Sequence, residues 1–144
     1  MNSNQKGEIA QLKVQIRAAE KGWIASRTIE GARYDLVLDD GDKLYRVQVK
    51  YSGGGTSHCN GSAAVHVTRA EGDDRNKNSK YCRTKTRTYS KNEVDAVIVY
   101  IPQIDELCWL GPEMFDDKPV VCLRYEAPKN GQKKGIHLAE NYVW

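Results

Sequence analysis

The segment "ARYDLVLDDGDKLYRVQVKYS", residues 32–52, restricts the fold more than any other part of the chain. Two runs rich in β-branched and aromatic residues flank Asp40-Gly41, a dipeptide suited to the left-handed turn of a hairpin. With the turn centred there, side chains alternate between faces, so Tyr34, Leu36 and Leu38 share one face with Tyr45, Val47 and Val49. That face is apolar and must look into a core. The opposite face carries Arg33, Asp35, Val37 and Asp39 from one strand and Arg46, Gln48 and Lys50 from the other. This parity survives a two-residue slip of register and fails on a one-residue slip. The ribbon therefore gathers a carboxylate, an amide and an ammonium group on one side.

Elements on either side of the hairpin are those of an α/β domain. Residues Gly7 to Gly22 read as an amphipathic helix, with Ile9, Leu12, Val14, Ile16 and Ala19 near helical spacing and Gly22 placed to stop it. Glu8 is expected in the first turn, where a carboxylate also has a plain structural role against the helix dipole. After the hairpin, "SGGGTSHCNGS" is a glycine-rich loop and "AAVHVT" a short strand. The run "EVDAVIVYIP" is apolar almost throughout, as in a strand buried on both faces, and "LCWLGP" and "VVCLRY" predict two further short strands.

With 144 residues, 40% of them hydrophobic, a single domain spanning 1–144 can bury a sizeable core. The most apolar stretch is too short for a membrane span and no signal segment opens the chain, so a cytoplasmic protein with no membrane partner is expected. Cys59, Cys82, Cys108 and Cys122 form no CxxC pair and the histidines complete no zinc spacing, which favours reduced thiols. The net charge of +3 says little, but it is unevenly spread. Between Arg75 and Lys91 lie Lys77, Lys80, Arg83, Lys85 and Arg87 with no acidic residue, a run compatible with a surface that follows phosphates or with a merely solvated loop.

The polar face of the hairpin suits phosphodiester hydrolysis, which needs an activated water, neutralisation of the charge gathering on the phosphate, and help for the leaving oxygen. Hard divalent cations held by oxygen ligands do much of this work, and magnesium often takes only one or two protein carboxylates. Asp35 is a suitable metal ligand, the Val49 carbonyl a second, and Lys50 can orient the water or stabilise the transition state.

Glu8 in an N-terminal helix, Tyr34-Asp35 on a strand and Gln48-Val49-Lys50 on the next resemble the PD-(D/E)XK nuclease superfamily in order and spacing. Within it the chain is most similar to the cyanobacterial-type homing endonucleases of group I introns, through "RAAEKGW", "ARYDLVLDDGDKLYRVQVKY" and, more loosely, "VDAVIVYIP". The resemblance implies a restriction-endonuclease-like domain, a mixed central sheet flanked by helices. It also implies a magnesium-dependent, site-specific double-strand DNA endonuclease, with manganese able to substitute. Glu8, Asp35, Gln48 and Lys50 are then the catalytic set, and Asp35, Glu8 and Val49 the metal ligands. Arg33, Arg46, Lys80, Arg83, Lys85 and Arg87 are the candidate DNA contacts, and a dimer or tetramer is the expected assembly. Apolar residues late in the chain, Trp109, Leu110, Met114, Phe115 and Trp144, are candidates for a subunit interface or for ordinary core.

Two positions depart from the superfamily pattern. Tyr34 stands where a proline is expected, and Gln48 where an acidic residue is expected. The second removes a charge from the metal site and gives Glu8 more weight, although a glutamine also occurs here in the resembling enzymes. Two other readings remain open: a junction resolvase or restriction-type nuclease of the same fold, and a non-catalytic nucleic-acid-binding module whose hairpin charges are only surface.

Overall fold

The computed structural model describes residues 1–53, 60–71 and 85–144. Helix α1, Ser3–Glu20, starts one turn earlier than the apolar pattern indicates, because Asn2 and Gln5 cap it reciprocally. Glu8 therefore lies in the second turn and not the first. At the other end Gly22, at φ 74°, lets its own amide reach the Ala19 carbonyl and the Trp23 amide reach that of Ala18. This is a Schellman stop of the kind the glycine predicts.

The buried stripe of α1 is Ala10, Val14 and Ala18, whereas Leu12 and Ile16 are exposed. The larger aliphatics suggested a different face. Small side chains won because they let the helix lie close on the sheet.

That sheet has five strands in the order β1-β2-β3-β7-β8: β1 Ile24–Arg27, β2 Leu36–Asp39, β3 Leu44–Tyr51, β7 Ala96–Ile101 and β8 Glu106–Leu110. Only β3 and β7 run parallel; the other neighbours are antiparallel. The hairpin pairs Leu36 with Val47 and Leu38 with Tyr45, a two-residue slip from a turn confined to Asp40-Gly41. The slip arises because the loop spans residues 40–43. Asp40 accepts bonds from the amides of Asp42 (2.9 Å) and Lys43 (2.7 Å), and Gly41 adopts φ 99°.

Face parity is preserved, so Leu36, Leu38, Val47 and Val49 point to α1. Tyr34 does not join them. It precedes the strand, where strict alternation no longer holds, and packs against the core on the other side of the sheet.

Strand β7 is buried at every residue because both faces of the sheet are covered. Ala96, Ile98 and Tyr100 meet the α1 side. Val97, Val99 and Ile101 meet a second layer containing Ala63, Val65, Val121 and Leu123. Those residues belong to a two-stranded unit of β4, Ser62–His66, and β9, Val120–Arg124. A second ribbon pairs β5, Thr68–Glu71, with β6, Lys85–Thr88.

The short helix α2, Pro112–Phe115, inserts Phe115 and Met114 into the same layer. Leu110, Met114 and Phe115 are thus core residues and not an interface. Trp109 and Trp144 are half-buried in an aromatic cluster with Trp23 and Tyr45. This cluster and a bond from the Arg17 guanidinium to the Trp144 carbonyl hold the last residue against the end of α1.

Among the described residues, Cys108 is a buried and Cys122 an exposed free thiol. Cys59 and Cys82 lie outside the described residues. Among those residues no helix is long and apolar enough to cross a membrane.

Candidate active site

Asp35 sits one residue before β2, where its amide still bonds the Val47 carbonyl at 2.9 Å. Its carboxylate reaches across to β3, and Oδ2 accepts both the Val49 amide (2.9 Å) and the Gln48 side-chain amide (2.6 Å). No bond among the described residues falls on Oδ1. Lys50, two residues along the same strand, donates from Nζ to the Thr68 carbonyl at 3.1 Å. The ammonium also lies 5.2 Å from the centroid of the Tyr89 ring.

Asp35, Gln48, Val49 and Lys50 are therefore brought together. Their face is half-buried at this end of β3, where the Thr68 carbonyl of β5 and the Tyr89 ring reach Lys50.

Burial sets the electrostatics. It pushes the Asp35 carboxyl above its ordinary value, against the opposing pull of the Val49 amide, Lys50 and Gln48. The Lys50 ammonium is pushed below its ordinary value by burial, opposed by the Asp35 charge. The Tyr89 hydroxyl is pushed up to about 12, first by burial and then by Asp35. A carboxylate and an ammonium of unlike sign but shared desolvation are characteristic of sites where charge is held ready for a substrate.

Glu8 is on the adjoining part of α1 and exposed. Arg27 of β1 grips its carboxylate with two bonds, 2.7 and 3.1 Å, and holds it below the usual carboxylate range. Arg27 and Asp35 line one polar cavity of 220 Å³ with Gln11, Thr28, Glu30 and Tyr34. The helix glutamate thus approaches the site through an arginine that sequence alone did not flag.

Other candidates are placed differently. Arg46 spends all its guanidinium nitrogens inside the fold, on Asp95 (3.0 and 3.1 Å) and the Asn92 carbonyl (2.8 Å). Arg33 and Arg87 both pair with Glu93 and, with Arg69 and Tyr89, line a small pocket. Lys85 is exposed on β6, while Lys80 and Arg83 fall outside the described residues. The Thr68 carbonyl and Arg27 carry no signal in the sequence, whereas Tyr89 lies inside the basic run, where sequence leaves its role open and favours core packing or exposure.

Among the described residues no three histidine, cysteine or acidic side chains cluster as a metal-binding group. The donors still fit a hard divalent cation. The Asp35 carboxylate lies against the Val49 backbone with one oxygen that accepts no bond among the described residues, and a second carboxylate, Glu8 on α1, is paired with Arg27, which lines the same cavity as Asp35. Magnesium accepts such sparse protein ligation and fills the rest of its shell with water or phosphate.

A family model, described as PD-(D/E)XK endonuclease, matches residues 1–144, and the chain belongs to that family. The five-stranded mixed sheet and its covering helix are the fold expected of it. Among solved structures, the chain is similar to the bacterial homing endonuclease I-Ssp6803I, with 22% identity over 99% of this chain and 89% of that one and a TM-score of 0.76. A second similar structure is Hjc, a Holliday junction resolvase from Archaeoglobus fulgidus, with 12% identity over 83% of this chain and 84% of that one and a TM-score of 0.49. No curated relative matches the chain.

Proposed function

We propose that the protein is a magnesium-dependent, site-specific double-strand DNA endonuclease of the homing type. The observation that carries this reading is the desolvated group of Asp35, Gln48 and Lys50 at the end of β3, in a chain whose full length matches an endonuclease family. The likeness to a bacterial homing endonuclease supports the choice of substrate.

In this scheme Asp35 and the Val49 carbonyl would hold the cation, with Glu8, which is paired with Arg27, as the further carboxylate ligand. A bound magnesium ion would supply charge neutralisation on the phosphate and a lowered pKa for an attacking water. Gln48 holds Asp35 in place through its amide and contributes no charge. Lys50 presents N–H donors to the phosphate oxygens, where a preorganised charge in a water-poor site is worth far more than at a surface. Arg33, Arg87 and Lys85, with Lys80 and Arg83, contact the DNA backbone. Arg46 joins them only if it gives up Asp95.

Cutting both strands of a long site calls for two such centres, so the working form is a dimer or tetramer. Its interface draws on apolar residues the fold leaves exposed, such as Ile24 and Leu44, and not on the buried Leu110, Met114 and Phe115.

Selection of cleaved members from a plasmid library with random inserts, run beside a four-way junction of fixed sequence, tests the substrate. Discrete recurrent cut sites in duplex are expected. Resolution of the junction with intact duplex would make the protein a junction nuclease instead.

A further inference from the structure

We infer that Tyr89 is the positioning residue of Lys50, its ring face and the Thr68 carbonyl together holding the ammonium group in the site. The inference rests on the nuclease reading only for what Lys50 does once held. Lysine carries a flexible four-carbon stem, and a desolvated ammonium wanders to whatever donor-hungry surface remains unless partners fix it. Here the carbonyl takes one N–H at 3.1 Å and the ring lies 5.2 Å from the charge. Both partners belong to the layer that carries β5 and β6.

The ring itself has little freedom. Tyr89 is only 4% exposed. Its amide bonds the Val67 carbonyl at 3.4 Å, and its carbonyl accepts the Asp117 amide at 3.1 Å. The same ring lines the pocket of Arg33, Arg69, Arg87 and Glu93. The ribbon that bears candidate DNA-contact residues is thereby joined to the lysine of the site through one aromatic side chain. An aliphatic residue of similar volume would fill the space but offer no electron-rich face to the charge.

Two measurements test this. In the first, the Lys50 ε-methylene protons, assigned by their loss in Lys50→Met, are followed by NMR in the metal-free protein. They should be shifted upfield by the ring current in the wild type and in Tyr89→Phe, and return to the ordinary lysine position in Tyr89→Leu. In the second, Tyr89 is replaced by phenylalanine and by trifluorinated phenylalanine, which keeps the shape of the ring and empties its face of negative potential.

The single-turnover DNA cleavage rate should be near wild type for Tyr89→Phe and fall by about 3–30-fold on fluorination, with DNA affinity in chelator unchanged. Unshifted Lys50 protons in the wild type, or equal rates with and without fluorine, would overturn the inference. If the wild type cleaves no DNA at all, the nuclease reading falls and the ring-current shift alone decides the contact. Tyr89→Phe is the folded reference should Tyr89→Leu not fold.

Discussion

Replacing Asp35 by asparagine should separate the cost of the site from its use. The carboxylate is half-buried, and desolvation keeps its pKa raised above the ordinary 3.8 even after the pull of the Val49 amide, Lys50 and Gln48. The folded state therefore holds this proton more tightly than the unfolded chain does. Stability contributed by the residue is fully present below the unfolded value and is lost as pH rises through the folded one. At neutral pH the ionised group is a liability, and Asp35→Asn should raise Tm there, with the gain vanishing towards pH 3.

Asp35→Ala should behave in the opposite way. It leaves the Val49 amide, donated at 2.9 Å in the native fold, without its acceptor. An orphaned buried donor costs about 1–3 kcal/mol, which in a domain of this size lowers Tm by about 2–4 °C per kcal/mol. Both variants should lose about 10²–10³-fold in magnesium-dependent cleavage, the scale of removing one preorganised electrostatic group. Thermal melts at pH 7 and pH 3, with single-turnover cleavage of the same preparations, provide the check. An Asp35→Asn protein less stable than wild type at pH 7, or one that still cleaves at near-normal rate, would refute the reasoning.

Further expectations follow from the same geometry. Lys50→Met should lose about 10²–10⁴-fold in rate while DNA affinity in chelator is retained; near-normal turnover would remove the lysine from the chemistry. Glu8→Gln should raise the magnesium concentration needed for half-maximal cleavage and Arg27→Gln should lower it, because Arg27 competes for the Glu8 carboxylate; metal titrations that coincide for all three proteins would leave the pair purely structural. Arg33→Gln should reduce the salt slope of DNA binding by about 0.9, one phosphate contact, whereas a slope equal to wild type would assign Arg33 to Glu93 alone. Glu93→Gln should strengthen DNA binding at low salt, since it removes the carboxylate that pairs with both Arg33 and Arg87.

The hairpin and its polar cluster were legible in sequence because both depend on period-2 alternation, which a two-residue slip of register leaves intact. The continuous run of β7 was legible for a related reason, since only a strand covered on both faces is apolar throughout. The buried face of α1 was not. Its packing surface is two alanines and a valine, and closeness of approach outweighed side-chain size. Nor was the environment of the charges. Arg27 reaches Glu8 across 19 residues of sequence, Asp95 reaches Arg46 across 49, and Tyr89 and the Thr68 carbonyl reach Lys50 from segments that follow β3 in sequence. Such contacts follow from the packing of layers, and local periodicity does not encode them. The late apolar residues were ambiguous between core and interface for the same reason, and Phe115 resolves to core once α2 is seen to insert under β8 and β9.

The most direct measurement is incubation of the wild-type protein with supercoiled plasmid carrying a selected target, in magnesium and in chelator, alongside Asp35→Asn. The wild type should produce linear DNA in magnesium and none in chelator, and Asp35→Asn should produce almost none in either. Cleavage that persists in chelator, or that Asp35→Asn matches in magnesium, would contradict a metal-dependent centre built on Asp35.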